Sequence, residues 1–250
     1  MRLIKTVFFL FVISASFQLH SETIKVAAAA NLRYVIPELT ELFSKKTGHQ
    51  LAVSYAASGT LTTQILHGAP FELFLSADTV YIERLIQAEL TQGDAVNYAQ
   101  AQLALFAATH STIPLDEGLV GLKETLEQGL LAKIAIANPK HAPYGRLAEL
   151  ELKKSGLWQQ VQGYLLKAEN ASQVVQFSLS SSVSAAFVPY SHIIQPQFAL
   201  KGKYIKLAAT LQQQAIALSG ASLIAQQFLE FIQTDDAQVI FEQYGFLVKE

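Results

Sequence analysis

The sequence predicts an α/β fold with mainly parallel strands, and three observations carry that expectation. From Thr23 onward, short β-branched runs alternate with segments of helical periodicity, the pattern of repeated strand–helix–strand units. Four of the turns joining a strand to a helix are built mostly from small, uncharged residues, and in open α/β sheets such turns gather at the carboxyl ends of the strands. The chain is 51% hydrophobic and has no cysteine, so apolar packing must hold it, and its length suffices for one or two cores.

Taken in order, residues 23–28 read as a strand. A helical stretch then runs to Lys46, with Leu32, Val35, Ile36, Leu39, Leu42 and Phe43 on one face and Gly48 as the stop. Pro37 breaks that pattern, because an interior proline removes a backbone donor; the helix either kinks in its first turns or starts only near Pro37. Residues 51–55 form the next strand, and 60–67 a short helix ended by Gly68. A strand over 72–75 follows, and Asp78 stands where a cap belongs before a helix over 81–89. Residues 101–107 lead as a strand into a looser stretch, 109–118, where the chain can cross to a second lobe. Beyond it come a strand at 133–137, helices at 146–154 and 172–179, and strands at 185–188, 203–207 and 215–218. The end is helical, 222–233 and then 235–244, closed by Gly245. No repeat of 20 to 50 residues occurs, and the serine-rich run 178–184 reads as a helix end and surface loop.

Residues 1–21 hold Arg2 and Lys5, no acidic residue, and an apolar run over 7–17. That run is about half of the roughly 20 residues a membrane span needs, so a cleavable secretory signal is expected, with Ser21 the preferred cleavage position. No other segment is apolar enough to span a bilayer. Loss of the two basic residues takes the formal charge from −2 to −4. With no basic stripe and no aromatic–basic interleaving, nucleic acid is excluded as a partner.

The four small-residue junctions are 27–31, 56–60, 138–145 and 169–172. Each places unpaired backbone N–H groups at a helix N-terminus, which carries roughly half a positive charge. Several such termini facing one cleft form an anion site that needs no lysine or arginine. The alternative is that each is an ordinary capped helix start, since Ser and Asn are the preferred caps. Spacing alone leaves both readings open.

Six segments in order resemble the periplasmic molybdate-binding proteins of ABC transporters. They are Val26-Ala-Ala-Ala-Ala-Asn31-Leu, Tyr55-Ala-Ala-Ser58-Gly-Thr-Leu with Gln64-Ile, and Gly68-Ala-Pro-Phe-Glu-Leu-Phe-Leu-Ser-Ala-Asp78, followed by Asn138-Pro-Lys-His-Ala-Pro-Tyr144-Gly145, Ala168-Glu-Asn-Ala171 and Ile240-Phe-Glu-Gln-Tyr-Gly-Phe246. The resemblance covers essentially all of the mature chain. It implies a two-lobed periplasmic-binding-protein fold of type II, each lobe a mainly parallel sheet flanked by helices, with the ligand cleft between them. The implied division is a signal peptide over 1–21, a first lobe over 22–100, a second over 101–215, and a return to the first over 216–250.

The resemblance also implies the ligand, molybdate or tungstate, with no cofactor and no direct cation ligand. Four contacts follow from it: Asn31 through its amide and backbone N–H, Ser58 through its hydroxyl, Tyr144 through its backbone N–H or phenol, and Ala171 through its backbone N–H. Some members add a tyrosine from the next strand end. That position falls here on Pro189, beside Tyr190, which leaves Tyr144 as the alternative source of a phenol. The implied partner is an ABC transporter permease, the implied location the periplasm, and a monomer the expected state.

Other conspicuous residues have plainer readings. His49, His67, His110, His141 and His192 show no metal-ligand spacing, and most read as solvated, with His141 alone inside a presumed ligand loop. Trp158 reads as packing a helix end, and Tyr34, Tyr55 and Tyr98 as core or rim. No enzyme motif such as Gly-x-Ser-x-Gly, a Walker loop or His-Glu-x-x-His is present, and no histidine pairs with Ser58. No adjacent tyrosines offer a ferric site. A regulator of the same two-lobed fold would need a DNA-binding N-terminus where the signal stands. Sulfate and phosphate remain as rival anions.

Overall fold

Strand and helix alternate from the first residues of the computed structural model, which describes residues 23–248. The expected signal segment 1–21 lies outside them. Strand β1 (Thr23–Ala29) passes through a 3-10 turn (Ala30–Leu32) into α1 (Val35–Thr47). Pro37 is the third residue of α1. The helix therefore starts near it, and since first-turn N–H groups have no intrahelical partner, the missing donor costs no helical bond. Gly48 ends α1 in the left-handed conformation at φ 78°, which glycine adopts without a steric penalty. Then come β2 (Gln50–Ala56), α2 (Ser58–Leu66), β3 (Leu73–Ser76) and α3 (Thr79–Gln87). Asp78 caps α3 as expected, accepting from the Val80 N–H at 3.1 Å.

Strand β4 (Thr91–Ala108) runs for 18 residues, starting ten residues before the expected 101. After it lie α4 (Val120–Glu127), β5 (Lys133–Ala137), α5 (Pro143–Lys154), β6 (Leu165–Ala168), α6 (Ala171–Ser178), β7 (Val183–Pro189) and the single turn α7 (Tyr190–Ile193). Strand β8 (Gly202–Leu218), 17 residues long, replaces the two short strands expected at 203–207 and 215–218. Helices α8 (Leu223–Phe231) and α9 (Asp235–Gln243) close the chain.

The strands form one sheet in the order β2-β1-β3-β8-β4-β7-β5-β6. Strands β1, β2 and β3 pair in parallel at one end, and β5, β6 and β7 at the other. Between the two parallel groups run β4 and β8, antiparallel to each other from Thr91↔Leu218 to Ala108↔Gly202, with three register shifts on the way. Their middles are polar: Gln212 and Gln213 face Gln100 and Ala99. That composition carries no strand-like alternation, and the pairing partner is what holds those residues extended.

The last helices return to the β1–β3 group. Phe228 of α8 meets Phe43 of α1 edge to face at 5.1 Å, and Asp236 of α9 pairs with Lys46. In each group the turns leaving β1, β2, β5 and β6 lie at the carboxyl ends of parallel strands. Helix α5 sits hard against the strand before it. A Cβ on Gly145 would stand 2.2 Å from the Ala137 carbonyl oxygen, which is backbone and has no room to yield. Gly145→Ala is expected to destabilise the fold by about 3 kcal/mol, measured as a lowered midpoint of urea unfolding with unchanged slope.

Candidate functional site

Asn31, Ser58, Tyr144 and Ala171 line one small cavity between the two parallel groups, and most of the remaining wall is alanine from the same turns. With a volume of about 10 Å³, it is far smaller than the roughly 300–1,000 Å³ of pockets for organic ligands. The residues lining it include no lysine, arginine or carboxylate.

Backbone donors come from helix starts. Ser58 is the first residue of α2, Tyr144 the second of α5, and Ala171 the first of α6. First-turn N–H groups lack intrahelical acceptors and usually receive a side-chain cap. At α2 and α5 the cap positions are Ala57 and Ala142, which offer none. At α6, Asn170 caps the Gln173 N–H at 3.1 Å, two residues beyond Ala171. Helices α3 and α8, outside the lining, carry the ordinary caps Asp78 and Ser222. The plain reading of these junctions as capped starts therefore fails at α2 and α5.

The side chains add neutral donors. Ser58 is wholly buried, and its oxygen accepts from the Ala77 N–H at 3.1 Å, a bond that uses a lone pair and not the hydroxyl proton. The Tyr144 hydroxyl and Asn31 Oδ1 are buried with no hydrogen-bond partner. Burial pushes the Tyr144 phenol far above its ordinary pKa, and the neighbouring Asn31 amide only partly opposes this. The phenol thus stays protonated and able to donate.

Several contacts hold the two groups together around the cavity. The Gly59 N–H donates to the His141 carbonyl at 2.9 Å, and the Ser172 hydroxyl to the Ala30 carbonyl at 2.8 Å. Arg146 of α5 donates to the Tyr81 hydroxyl at 2.7 Å, pairs with Asp78, and stacks 4.8 Å from the Tyr81 ring centroid. The Asn31 carbonyl is held by the Ser191 hydroxyl at 3.3 Å and by His192 Nε2 at 3.1 Å.

Some of these residues escaped the sequence reading. Arg146 looked like the start of a helix, and Asp78 showed only its capping role. His192 is 1% exposed, an exception among histidines most of which read as solvated; its place after β7 gives no sign that its partner lies on the β1 turn. His141 precedes the lining residue Ala142 but does not itself line the cavity; it offers its carbonyl to Gly59 while its ring meets the Glu169 carbonyl at 3.0 Å. Tyr190 packs near Tyr204 and Lys206 outside the lining, so the phenol at the cavity is that of Tyr144.

Residues 24–247 match the model of the bacterial extracellular solute-binding proteins, and the chain belongs to that family of binding proteins. Among its relatives, the molybdate-binding protein ModA of Rhodobacter capsulatus is 33% identical over 227 residues, 89% of this chain and 87% of that one. ModA of Azotobacter vinelandii is 29% identical over 230 residues, 89% of each. The solved structure of the Azotobacter vinelandii periplasmic molybdate-binding protein matches with a TM-score of 0.81 at 27% identity, over 91% of this chain and all of that one. The sulfate-binding protein SubI from Mycobacterium tuberculosis shares the fold, with a TM-score of 0.77 at 15% identity over 91% of this chain and 86% of that one.

His192 makes the support of the β1 turn sensitive to acid. Desolvation lowers its pKa from 6.5 to about 4, so the imidazole is neutral and its Nε2–H donates to Asn31. Since the folded pKa lies below the unfolded one, this contribution is complete above about pH 6.5 and fades as pH falls through about 4. The loss approaches roughly 3 kcal/mol once both states are protonated. Thermal midpoints of the wild type should drop more steeply than those of His192→Gln over this interval.

Proposed function

We propose that the chain binds molybdate or tungstate in this cavity and delivers it to the permease of an ABC transporter. The observation that carries the reading is the pair of uncapped helix N-termini, α2 and α5, aimed at a cavity of neutral donors with no charged side chain. The ModA relatives supply the choice of ion. In this reading Asn31 donates its amide and N–H, Ser58 its hydroxyl and N–H, Tyr144 its phenol and N–H, and Ala171 its N–H.

A fully ionised tetrahedral dianion offers acceptors only, so a cage of donors matches it at every oxygen. Hydrogen bonds to a charged acceptor contribute roughly 1.5–3 kcal/mol each, and about six of them offset the cost of dehydrating the ion. An anion that keeps a proton would need an acceptor in the wall. Sulfate also lacks that proton, and only the size of the cage separates it from the larger molybdate.

The two lobes of the proposal are 22–100 with 216–250, and 101–215, joined through β4 and β8. Asn31 and Ser58 then belong to the first lobe and Tyr144 and Ala171 to the second, so the ion bridges them. Binding shifts the equilibrium toward the closed form by as much as the ion prefers it. The protein acts in the periplasm as a monomer after cleavage of residues 1–21, binding without turnover.

Isothermal titration of the mature protein should give one-to-one molybdate binding and no response to sulfate. Ser58→Ala and Tyr144→Phe should each weaken it roughly 10- to 150-fold. Absence of both heat and thermal stabilisation with molybdate and tungstate would overturn the proposal. Closure has its own test. A Cβ on Gly59 would lie 2.7 Å from the His141 carbonyl and 2.9 Å from the Tyr81 hydroxyl, so Gly59→Ala should oppose the closed form. Its molybdate-bound radius of gyration by X-ray scattering should stay above that of the bound wild type, with weaker affinity.

A further inference from the structure

We infer that Gln213, on the crossing strand β8, decides which end of the Asn31 amide faces the cavity, with Tyr98 of β4 fixing Gln213 in turn. The inference rests on the reading of the cavity as an anion site. Gln213 is fully buried, and Tyr98 and Asn31 are each 1% exposed. The three side chains form a chain of contacts: Asn31 Nδ2 to Gln213 Oε1 at 3.2 Å, and the Tyr98 hydroxyl to Gln213 Oε1 at 2.8 Å and to the Ser76 carbonyl at 3.2 Å.

With the amides in that orientation, three ends fail to match. Asn31 Oδ1 and Gln213 Nε2 are buried without partners. The single hydroxyl proton of Tyr98 faces two acceptors. The two ends of an amide fill nearly the same space, so its orientation follows from the hydrogen bonds around it. Turned over together, the amides resolve the conflict at Tyr98 at the same distances. Tyr98 gives its proton to Ser76, which is held in β3, and accepts from Gln213 Nε2. That nitrogen's other proton goes to Asn31 Oδ1, and the Asn31 nitrogen turns to the cavity beside Tyr144. Two ends then lack a protein partner, Gln213 Oε1 and the Asn31 nitrogen, and the nitrogen is a donor that an anion in the cavity would satisfy.

The chemistry of the ligand makes the same choice. An anion has no proton to give, so an amide oxygen facing it is repelled where an amide nitrogen bonds. Nothing in Asn31 itself selects between the two ends. The selection starts at a main-chain carbonyl and passes through Tyr98 and Gln213. Gln213 is therefore a positioning residue for the first donor, outside the lining of the cavity.

Two measurements test this. In the ligand-free wild type, nuclear Overhauser contacts from the Asn31 side-chain amide protons to the Tyr144 ring are expected. Contacts from those protons to Gln213 in place of Tyr144 would overturn the inference, whether or not molybdate binds. In molybdate titrations, Gln213→Met keeps the volume and removes the polar ends, and should weaken binding about tenfold with little change in thermal midpoint. Gln213→Glu presents only acceptors to Asn31 and should weaken it about 100-fold at neutral pH. That loss should shrink as pH falls and the carboxyl gains a proton to donate, while wild-type affinity stays flat. If both variants bind molybdate as tightly as the wild type, Gln213 has no positioning role and the molybdate reading stands. If the wild type fails to bind, the molybdate reading falls and the amide contacts alone decide the orientation.

Discussion

Helix starts without side-chain caps, turned toward one cavity, govern this architecture. A helix that starts in water or with a serine or asparagine cap has its first N–H groups satisfied locally. Two of the helices around the cavity start behind alanine, so no cap side chain meets their first donors, and at α2 the Gly59 N–H finds the His141 carbonyl instead. The alanines themselves contribute by being small, since a larger wall would fill the space into which the N–H groups point. In the proposed site the missing acceptors are the oxygens of the ion. Because no wall residue carries a charge, the cage compensates the ion with dipoles fixed in direction, and fixed dipoles recognise geometry as well as sign.

The donors come from two groups of parallel strands, and the β4–β8 pair sets how the groups face each other. A parallel sheet alone cannot bring β1 and β5 turns to a shared cavity. The long antiparallel crossing strands do so, and their register shifts locally disrupt the ladder. Two of those strand residues, Tyr98 and Gln213, also reach Asn31 through hydrogen bonds. The connection between the groups and the orientation of a donor thus share the same residues. The contacts of Gly59 with His141, Ser172 with Ala30, and Arg146 with Asp78 and Tyr81 complete the approach from the rim.

Much of the fold was legible because it rests on local chemistry. The apolar face of α1, its glycine stop, the Asp78 cap and strand β5 all follow from side-chain periodicity and turn preference, and they stand where the sequence placed them. The middle of β8 was not legible, since residues 208–214 lack alternating hydrophobicity and extend only because β4 lies beside them. Helix α4 and strand β6 also passed unmarked, being short and weakly patterned. At the cavity the four small-residue junctions could be read as donors, but their meeting at one point could not.

By itself the sequence determined the alternation of strand and helix, the supply of uncapped or small-residue helix starts, and through its ordered motifs the family. These depend on neighbouring residues and on backbone preferences that act within a few positions. Only the tertiary structure decided that Asn31, Ser58, Tyr144 and Ala171 share one cavity, that the His192 ring supports the Asn31 carbonyl, and that Gln213 stands behind the Asn31 amide. Those contacts join residues 161 and 182 positions apart. Hydrogen bonds at such separations leave no period or spacing in the chain, because their geometry exists only after the sheet has formed.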